Sequence, residues 1–514
     1  MQSWLGRGKS LQKGITCCCL VAFVLYGYDQ GVFSGILQNE NWLDQFDHPS
    51  DSKTGIIVSC FNLGCFTGCV ISFMSGDFLG RRKAIWLGMT LVIIGAALQA
   101  SAFTVDHLVI GRVITGFGTG VKTATVPMYQ SELCDRSQRG RLVSAEVMFV
   151  GIGICIAYWL DFGMSFTPGS VAWRFPIAFQ ITFAIGVIFL VFALPESPRW
   201  LFARGREEEA MGVLCAVYDK DPTDEYIVAE RNAIIEAIGM EAQVAESRSF
   251  FSIFKRDEVS TGYRVLLAWG IQFMNQVSGI NLVVYYVPTV LVQNVGMTPR
   301  MAQILGGCIN IMFPLGSLGP SLALDRMGRR KTMLWGCAGL SFCMMMVAAL
   351  LSQAGDPEST RGKSFGAAGT AFFFLYMFVF GASVNCVPWV YVPEILPLAA
   401  RTRGTAVGVS SNWIWNFTVV MITPVIINRL QWKAYLIFMA TNLVFIPVIY
   451  FFYPETSNVR LEDMDHFFAS GKNPVVMARK FAAEMKAGRY DTEAIGVSSG
   501  SEGEKAVGET RHVS

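Results

Sequence analysis

The chain reads as an all-α membrane protein of twelve transmembrane helices in two pseudo-symmetric six-helix bundles. Three observations lead there. Of 514 residues, 52% are hydrophobic and only 16% charged, at a mean hydropathy of +0.42; soluble domains carry roughly 25% charged residues. Apolar segments of about 20 residues recur between polar loops, the length a helix needs to cross the hydrocarbon core. Three motifs also occur twice, in the same order, once in each half.

The first six spans are expected near 15–37, 54–75, 84–103, 107–129, 142–162 and 175–194. The stretch from Ile15 to Leu37 lacks a small-residue cleavage site and reads as a retained first helix, behind a short cytoplasmic N-terminus over 1–14. The second six are expected near 263–295, 300–323, 332–352, 366–392, 403–427 and 433–453. The bundles therefore cover 15–194 and 263–453. Between them the charged segment 195–262 reads as a water-soluble connector with short helices, and 454–514 as a largely disordered tail.

Basic residues near span ends set the expected orientation. Arg7, Lys9 and Lys13 precede the first span, Arg81, Arg82 and Lys83 follow the second, and Arg136, Arg139 and Arg141 follow the fourth. Arg326, Arg329, Arg330 and Lys331 follow the eighth, whereas loop 38–53 is acidic with Lys53 alone. Both termini and the connector are expected in the cytoplasm.

The repeats are specific. Asp77-Phe-Leu-Gly80-Arg81-Arg82-Lys83 recurs as Asp325-Arg-Met-Gly328-Arg329-Arg330-Lys331. Glu132 followed by Arg139-Gly140 recurs as Glu394 followed by Arg403-Gly404, and Pro195-Glu196-Ser197 as Pro454-Glu455-Thr456. Three ordered repeats argue for two halves of common ancestry. Glycines let helix ends approach closely, and arginines pair with carboxylates. A cytoplasmic gate network is expected, with Asp77, Arg81, Glu132, Arg139 and Glu196 in one half and Asp325, Arg329, Glu394, Arg403 and Glu455 in the other.

Several classes are disfavoured. A net charge of +2 gives no reason to invoke nucleic acid. The thirteen cysteines lie mostly in apolar stretches and read as packing residues, without metal-ligand spacing. With four histidines and no nucleophile–base constellation, an enzyme is not expected, nor is any cofactor or metal. Gly116-Phe-Gly118-Thr-Gly120 resembles a nucleotide loop but sits in an apolar span, where close helix packing explains it. The sequon Asn416-Phe-Thr418 falls inside the eleventh span, out of reach of glycosylation.

From about Tyr26 to Thr456 the chain resembles the sugar porter family of the major facilitator superfamily. The carrying residues are Gly76-Asp77 with Gly80-Arg81-Arg82, Pro127-Met128-Tyr129 with Glu132, and Pro195-Glu196-Ser197-Pro198-Arg199-Trp200. Gln276-Val-Ser278-Gly279-Ile280-Asn281 with Tyr285-Tyr286, Val387-Pro388-Trp389, Pro393-Glu394, Asn412-Trp413 and Pro454-Glu455-Thr456 complete them. The resemblance implies a monomeric plasma-membrane carrier working by alternating access about a midplane site lined mainly by the second half. It implies substrate contacts from Asn275, Gln276, Asn281, Tyr286, Trp389 and Asn416. Amides offer a donor and an acceptor each, suiting vicinal hydroxyls, and an aromatic face covers C–H groups. Two positions depart from the hexose pattern: Asn275 stands where a first glutamine is usual, and Val147, beside Glu146, where the fifth span often has a glutamine. The departures open a polyol as substrate, and Glu146 resembles the fungal glycerol–proton symporters.

Asp29 lies mid-span in Tyr26-Gly27-Tyr28-Asp29-Gln30-Gly31. A carboxylate inside a membrane bundle must be paired, solvated or protonated. Arg112, near the start of the fourth span, is the expected partner, and the resemblance places the proton-coupling aspartate at this position in symporters. Glu146, near the cytoplasmic end of its span, reads as wet. The expected function is proton-coupled symport of a monosaccharide or polyol across the lipid membrane. A passive hexose uniporter and a carrier-like sugar sensor are the alternatives.

Overall fold

The computed structural model describes residues 6–134, 139–247, 253–254, 257–355, 359–397, 400–457, 459, 461–469 and 473–486. The first half comprises α1 (Lys9–Ile36), the short α2 (Glu40–Gln45), α3 (Asp51–Leu79), α4 (Arg81–Ala100), α5 (Val105–Leu133), α6 (Arg139–Met164) and α7 (Val171–Ala193). The connector forms α8 (Pro198–Ala203), α9 (Glu207–Tyr218) and α10 (Glu225–Ser247), and it docks beneath α1, where Gln12 Nε2 donates to the Val217 carbonyl at 3.0 Å. The second half comprises α11 (Thr261–Val277), α12 (Ile280–Gln293), α13 (Pro299–Met327), α14 (Arg329–Ala354), α15 (Thr360–Ala382), α16 (Cys386–Ile395), α17 (Arg401–Leu430) and α18 (Ala434–Phe452).

Among the described residues, nine stretches are long and apolar enough to cross a membrane, and the last, Arg403–Phe452, contains both α17 and α18. Helix α5 and the pair α11–α12 complete the twelve traverses. These are less apolar or shorter: α5 carries Arg112 and Lys122, while α11 and α12 have only 17 and 14 residues. Large apolar side chains such as Phe78, Phe189, Leu322 and Phe451 remain on the outside, where lipid is their solvent.

Two spans expected to be continuous are broken. The seventh breaks at Gly279, whose φ of 107° belongs to glycine and where a Cβ would lie 3.0 Å from the Phe438 ring. The Ser278 carbonyl at the break accepts from Tyr376 Oη at 3.0 Å and Asn442 Nδ2 at 2.7 Å. The tenth breaks at Ser383–Asn385, and the Val384 carbonyl accepts from Asn275 Nδ2 at 2.8 Å. Irregular backbone at membrane depth survives only where such partners exist. Gly279→Ala combines strain with a clash and is expected to cost about 1–3 kcal/mol. A thermal-shift comparison with Gly163→Ala, whose methyl meets no atom within 4 Å, checks it.

The Gly116–Gly120 run is a packing seam. A Cβ on Gly116 or Gly120 would lie 2.1 Å from the carbonyl of Phe61 or Cys65 on α3, and one on Gly118 would lie 2.4 Å from that of Gly88 on α4. Small residues here let three backbones touch. None of the thirteen cysteines forms a disulfide.

Residues Leu461–Ala469 form α19 and Pro474–Lys486 form α20. Met464, Phe467 and Phe468 on the first, and Val475, Ala478 and Phe481 on the second, are buried at helical spacing, which is why these stretches fold. The fully buried Arg264 anchors α19: it donates to the Ile395 carbonyl, pairs with Asp465 at 2.5 Å and lies over the Phe468 ring. Residues past 486 lie outside the described residues.

Candidate functional site

A cavity lies between the two halves, lined by side chains from both. The first half supplies Phe23, Tyr26 and Gln30 from α1, and Val147, Val150 and Ile154 from α6. The second supplies Asn275, Gln276, Ile280, Asn281 and Val284 around the α11–α12 break, with Phe313, Phe380, Asn385, Trp389, Asn412 and Asn416. Seven of these side chains are carboxamides, and none of the lining residues is an acid, lysine, arginine or histidine.

The amides are ordered before any ligand arrives. Asn281 Nδ2 donates to Gln276 Oε1 at 2.8 Å, Gln276 Nε2 to Asn275 Oδ1 at 2.7 Å, and Asn275 Nδ2 to the Val384 carbonyl. The relay runs from the break in the seventh traverse to the break in the tenth, so both are fixed relative to each other. Asn416 Oδ1 accepts from Asn62 Nδ2 of the other half at 2.8 Å, and Asn412 Nδ2 donates to Gln272 Oε1 at 2.8 Å. Asn412 Oδ1 is buried with no hydrogen-bond partner among the described residues, an acceptor on a residue that lines a polar cavity. On the far side from the basic loops, Gln38 bonds Thr289 at 2.8 Å and Tyr158 bonds the Val284 carbonyl at 2.7 Å, tying half to half.

Five of the six residues expected at the substrate line this cavity: Asn275, Gln276, Asn281, Trp389 and Asn416. Tyr286 is the correction. Its hydroxyl donates to the Val420 carbonyl at 3.1 Å and it is absent from the lining. Successive residues on a helix point about 100° apart, and Asn281 takes the inward face. Gln30, Asn385 and Asn412 were not anticipated. A signal existed for Asn412, which stands four residues before Asn416 on the same helical face.

Asp29, next to Gln30 in sequence, is buried, but its partner is not Arg112. Asp29 Oδ2 accepts from Thr119 Oγ1 at 3.1 Å and lies 3.6 Å from Lys122 Nζ. Arg112 instead clips α3: it donates to the carbonyls of Ile57 at 3.3 Å and Val58 at 2.8 Å, between the rings of Phe33 and Phe61. The cause is geometric, since Thr119 and Lys122 are one turn apart on the α5 face that meets α1. Glu146 also departs from its expectation. It is 1% exposed, and neither carboxyl oxygen has a hydrogen-bond partner among the described residues.

At the basic end the two halves repeat one arrangement. Arg81 grips Glu132 through Nε and Nη2, both at 3.0 Å, and Arg329 grips Glu394 at 3.1 and 2.6 Å. Glu196 accepts from the backbone N–H groups of Arg81, Arg82 and Ser197, and Glu455 from those of Arg329, Arg330 and Ser457. Each acid thus caps the N-terminus of α4 or α14, a stabilising place for negative charge. The motif glycine follows from this: a Cβ on Gly80 would lie 2.8 Å from Glu196, and one on Gly328 2.9 Å from Glu455. Burial nevertheless holds the Glu196 carboxyl above the usual carboxylate value, against the pull of these N–H groups and Arg81. Arg403 lies in the first turn of α17; the side chains of Asp77, Arg139 and Asp325 fall outside the described residues.

Comparison with known proteins places this architecture. Residues 15–468 match the model of the family described as sugar (and other) transporters. The MFS-type transporter oryC of Aspergillus oryzae is 41% identical over 92% of this chain and 88% of its own length. The sugar transporter STL1 of Saccharomyces cerevisiae is 36% identical over 91% of this chain and 83% of its own length. The structure of the proton:xylose symporter XylE with 6-bromo-6-deoxy-D-glucose shares the fold at a TM-score of 0.75 and 23% identity, covering 90% of this chain and all of that one. The chain belongs to the sugar (and other) transporter family and is an integral, multi-pass membrane carrier of the major facilitator superfamily, not an enzyme.

Proposed function

We propose that the chain carries a neutral monosaccharide or polyol together with a proton, by alternating access about the cavity between its halves. The single observation that supports this best is the cavity's lining: seven carboxamides with the Trp389 and Tyr26 rings, and no charged side chain. Carboxamides donate and accept at once, which hydroxyl groups require. A carboxylate-bearing polyol would be buried without a countercharge, so neutral substrates are favoured. Val147 in the lining leaves one wall apolar, which suits smaller or less hydroxylated ligands.

Asp29 serves as the proton site: it is buried, adjacent in sequence to the cavity residue Gln30, and able to exist charged beside Lys122 or neutral after protonation. The Arg81–Glu132 and Arg329–Glu394 clamps act as the gate at the basic end. That end faces the cytoplasm, with both termini, in a monomer of the plasma membrane. A passive uniporter is the second reading, favoured by the fact that Lys122 already neutralises Asp29.

Uptake of a labelled panel of hexoses, pentoses, glycerol and longer polyols, with and without a protonophore, tests both parts. Uptake of a neutral member that collapses with the protonophore is expected; selective uptake of a sugar acid contradicts the substrate assignment. Asn281→Leu leaves Gln276 Oε1 without its donor and removes one hydroxyl partner. It should weaken apparent affinity by about 10–100-fold, from roughly 1–3 kcal/mol per unsatisfied group, in a substrate-concentration series.

A further inference from the structure

We propose that Lys122 is the resident counter-ion of the proton site, exchanged against a proton at Asp29 in each cycle, and that Arg112 takes no part in that exchange. This rests on the proton-coupled reading above.

Three observations carry it. The Lys122 and Asp29 side chains are 1% and 0% exposed, so neither can use water in this conformation. Among the described residues Lys122 Nζ and Asp29 Oδ1 have no hydrogen-bond partner, which leaves the 3.6 Å ion pair and the Thr119 hydroxyl as the contacts that satisfy them. Arg112, the other cation nearby, has its donors on two α3 carbonyls and its plane between two aromatic rings. A planar guanidinium so fixed is a structural clip, whereas an ammonium on a four-carbon stem can move.

The titratable groups facing the pair come from every side. Tyr28 on α1, Cys65 on α3 and Arg112 on α5 stand next to the pair, and Cys60 on α3 and Tyr285 on α12 stand next to Arg112. None is a carboxylate, so among the described residues Lys122 has no second anion to turn to when Asp29 is neutralised. The step is one proton transfer. Water on one side gives a proton to the Asp29 carboxylate, Lys122 keeps its own, and the tie between α1 and α5 is released. On the other side the proton leaves Asp29 and the ion pair reforms. Because α1 also carries Tyr26 and Gln30, release of the tie frees one wall of the cavity.

The test is substrate counterflow in proteoliposomes, without any imposed gradient, from pH 5 to pH 8. Each rate is normalised to the same variant's rate at pH 5. Wild type is expected to fall with pH along the slope of a single titrating proton, roughly tenfold per unit at its steepest. Lys122→Gln leaves a buried carboxyl without its countercharge, so the uncharged acid persists and the profile should flatten to within about twofold. Lys122→Arg restores a cation and should restore the slope. If Lys122→Gln yields no folded carrier, Lys122→Met, which keeps the apolar stem, is read the same way. A neutral variant whose profile superimposes on wild type overturns the proposal, whatever the shape of that profile. Failure of wild type to accumulate substrate under an imposed pH gradient is a separate outcome: it overturns proton-driven transport and leaves the profile comparison standing.

Discussion

Asp29→Asn is expected to abolish accumulation of substrate against a gradient while counterflow exchange continues. The asparagine keeps the size of the side chain and can still accept from Thr119, but it cannot take up a proton. Its cost falls on Lys122, which is left buried without an anion; removing one partner of a buried pair costs about 3–5 kcal/mol. The yield of folded carrier should therefore drop as well. Combining Asp29→Asn with Lys122→Gln should restore yield, because no lone charge remains, yet accumulation should stay absent. Yield is read by size-exclusion chromatography and accumulation by labelled uptake. A single mutant that still concentrates substrate contradicts the assignment of Asp29.

Arg329→Ala is expected to destabilise the second half more than any surface substitution at the basic end. The guanidinium holds Glu394 through two nitrogens and also donates to Ser457 at 3.1 Å, so it links α14, α16 and the segment after α18. Its removal leaves Glu394 with Thr456 as a remaining donor, at 2.6 Å. A loss of about 3–5 kcal/mol follows from breaking such a pair, a drop of several degrees in the melting temperature. Arg206, which pairs with Glu209 in an exposed position, is the control. Its replacement by Ala should change stability by no more than about 1 kcal/mol. Equal melting temperatures for the two variants would contradict the clamp.

The fold was legible because hydropathy, helix length and charge at helix ends are local properties. The paired motifs were legible for a different reason: Gly80 and Gly328 can only be capped by acids that come from the far end of each half, so the Gly-Arg-Arg and Pro-Glu pairs travel together. Chain breaks were less visible. Nothing in the sequence separates Gly279 from other glycines; its positive φ and its packing against the Phe438 ring belong to the folded chain. In the cavity, the family resemblance pointed to Asn275, Gln276 and Asn281, and all three line it. What sequence could not supply was which face of each helix meets which neighbour. Arg112 and Lys122 are both basic and both on α5, ten positions or about 15 Å apart along the axis. Only the crossing of α1 over α5 decides between them. The same limit misplaced Tyr286, whose side chain turns to α17.

The central claim, that a proton drives a neutral polyhydroxyl substrate through this cavity, is tested most directly in proteoliposomes. Purified carrier is reconstituted, a pH difference is imposed, and the ratio of internal to external labelled substrate is followed. The expected ratio rises above one, collapses to one when a protonophore is added, and never exceeds one with Asp29→Asn. A wild-type ratio that settles at one under the same pH difference, with substrate entering at a normal rate, would contradict it and leave a passive uniporter.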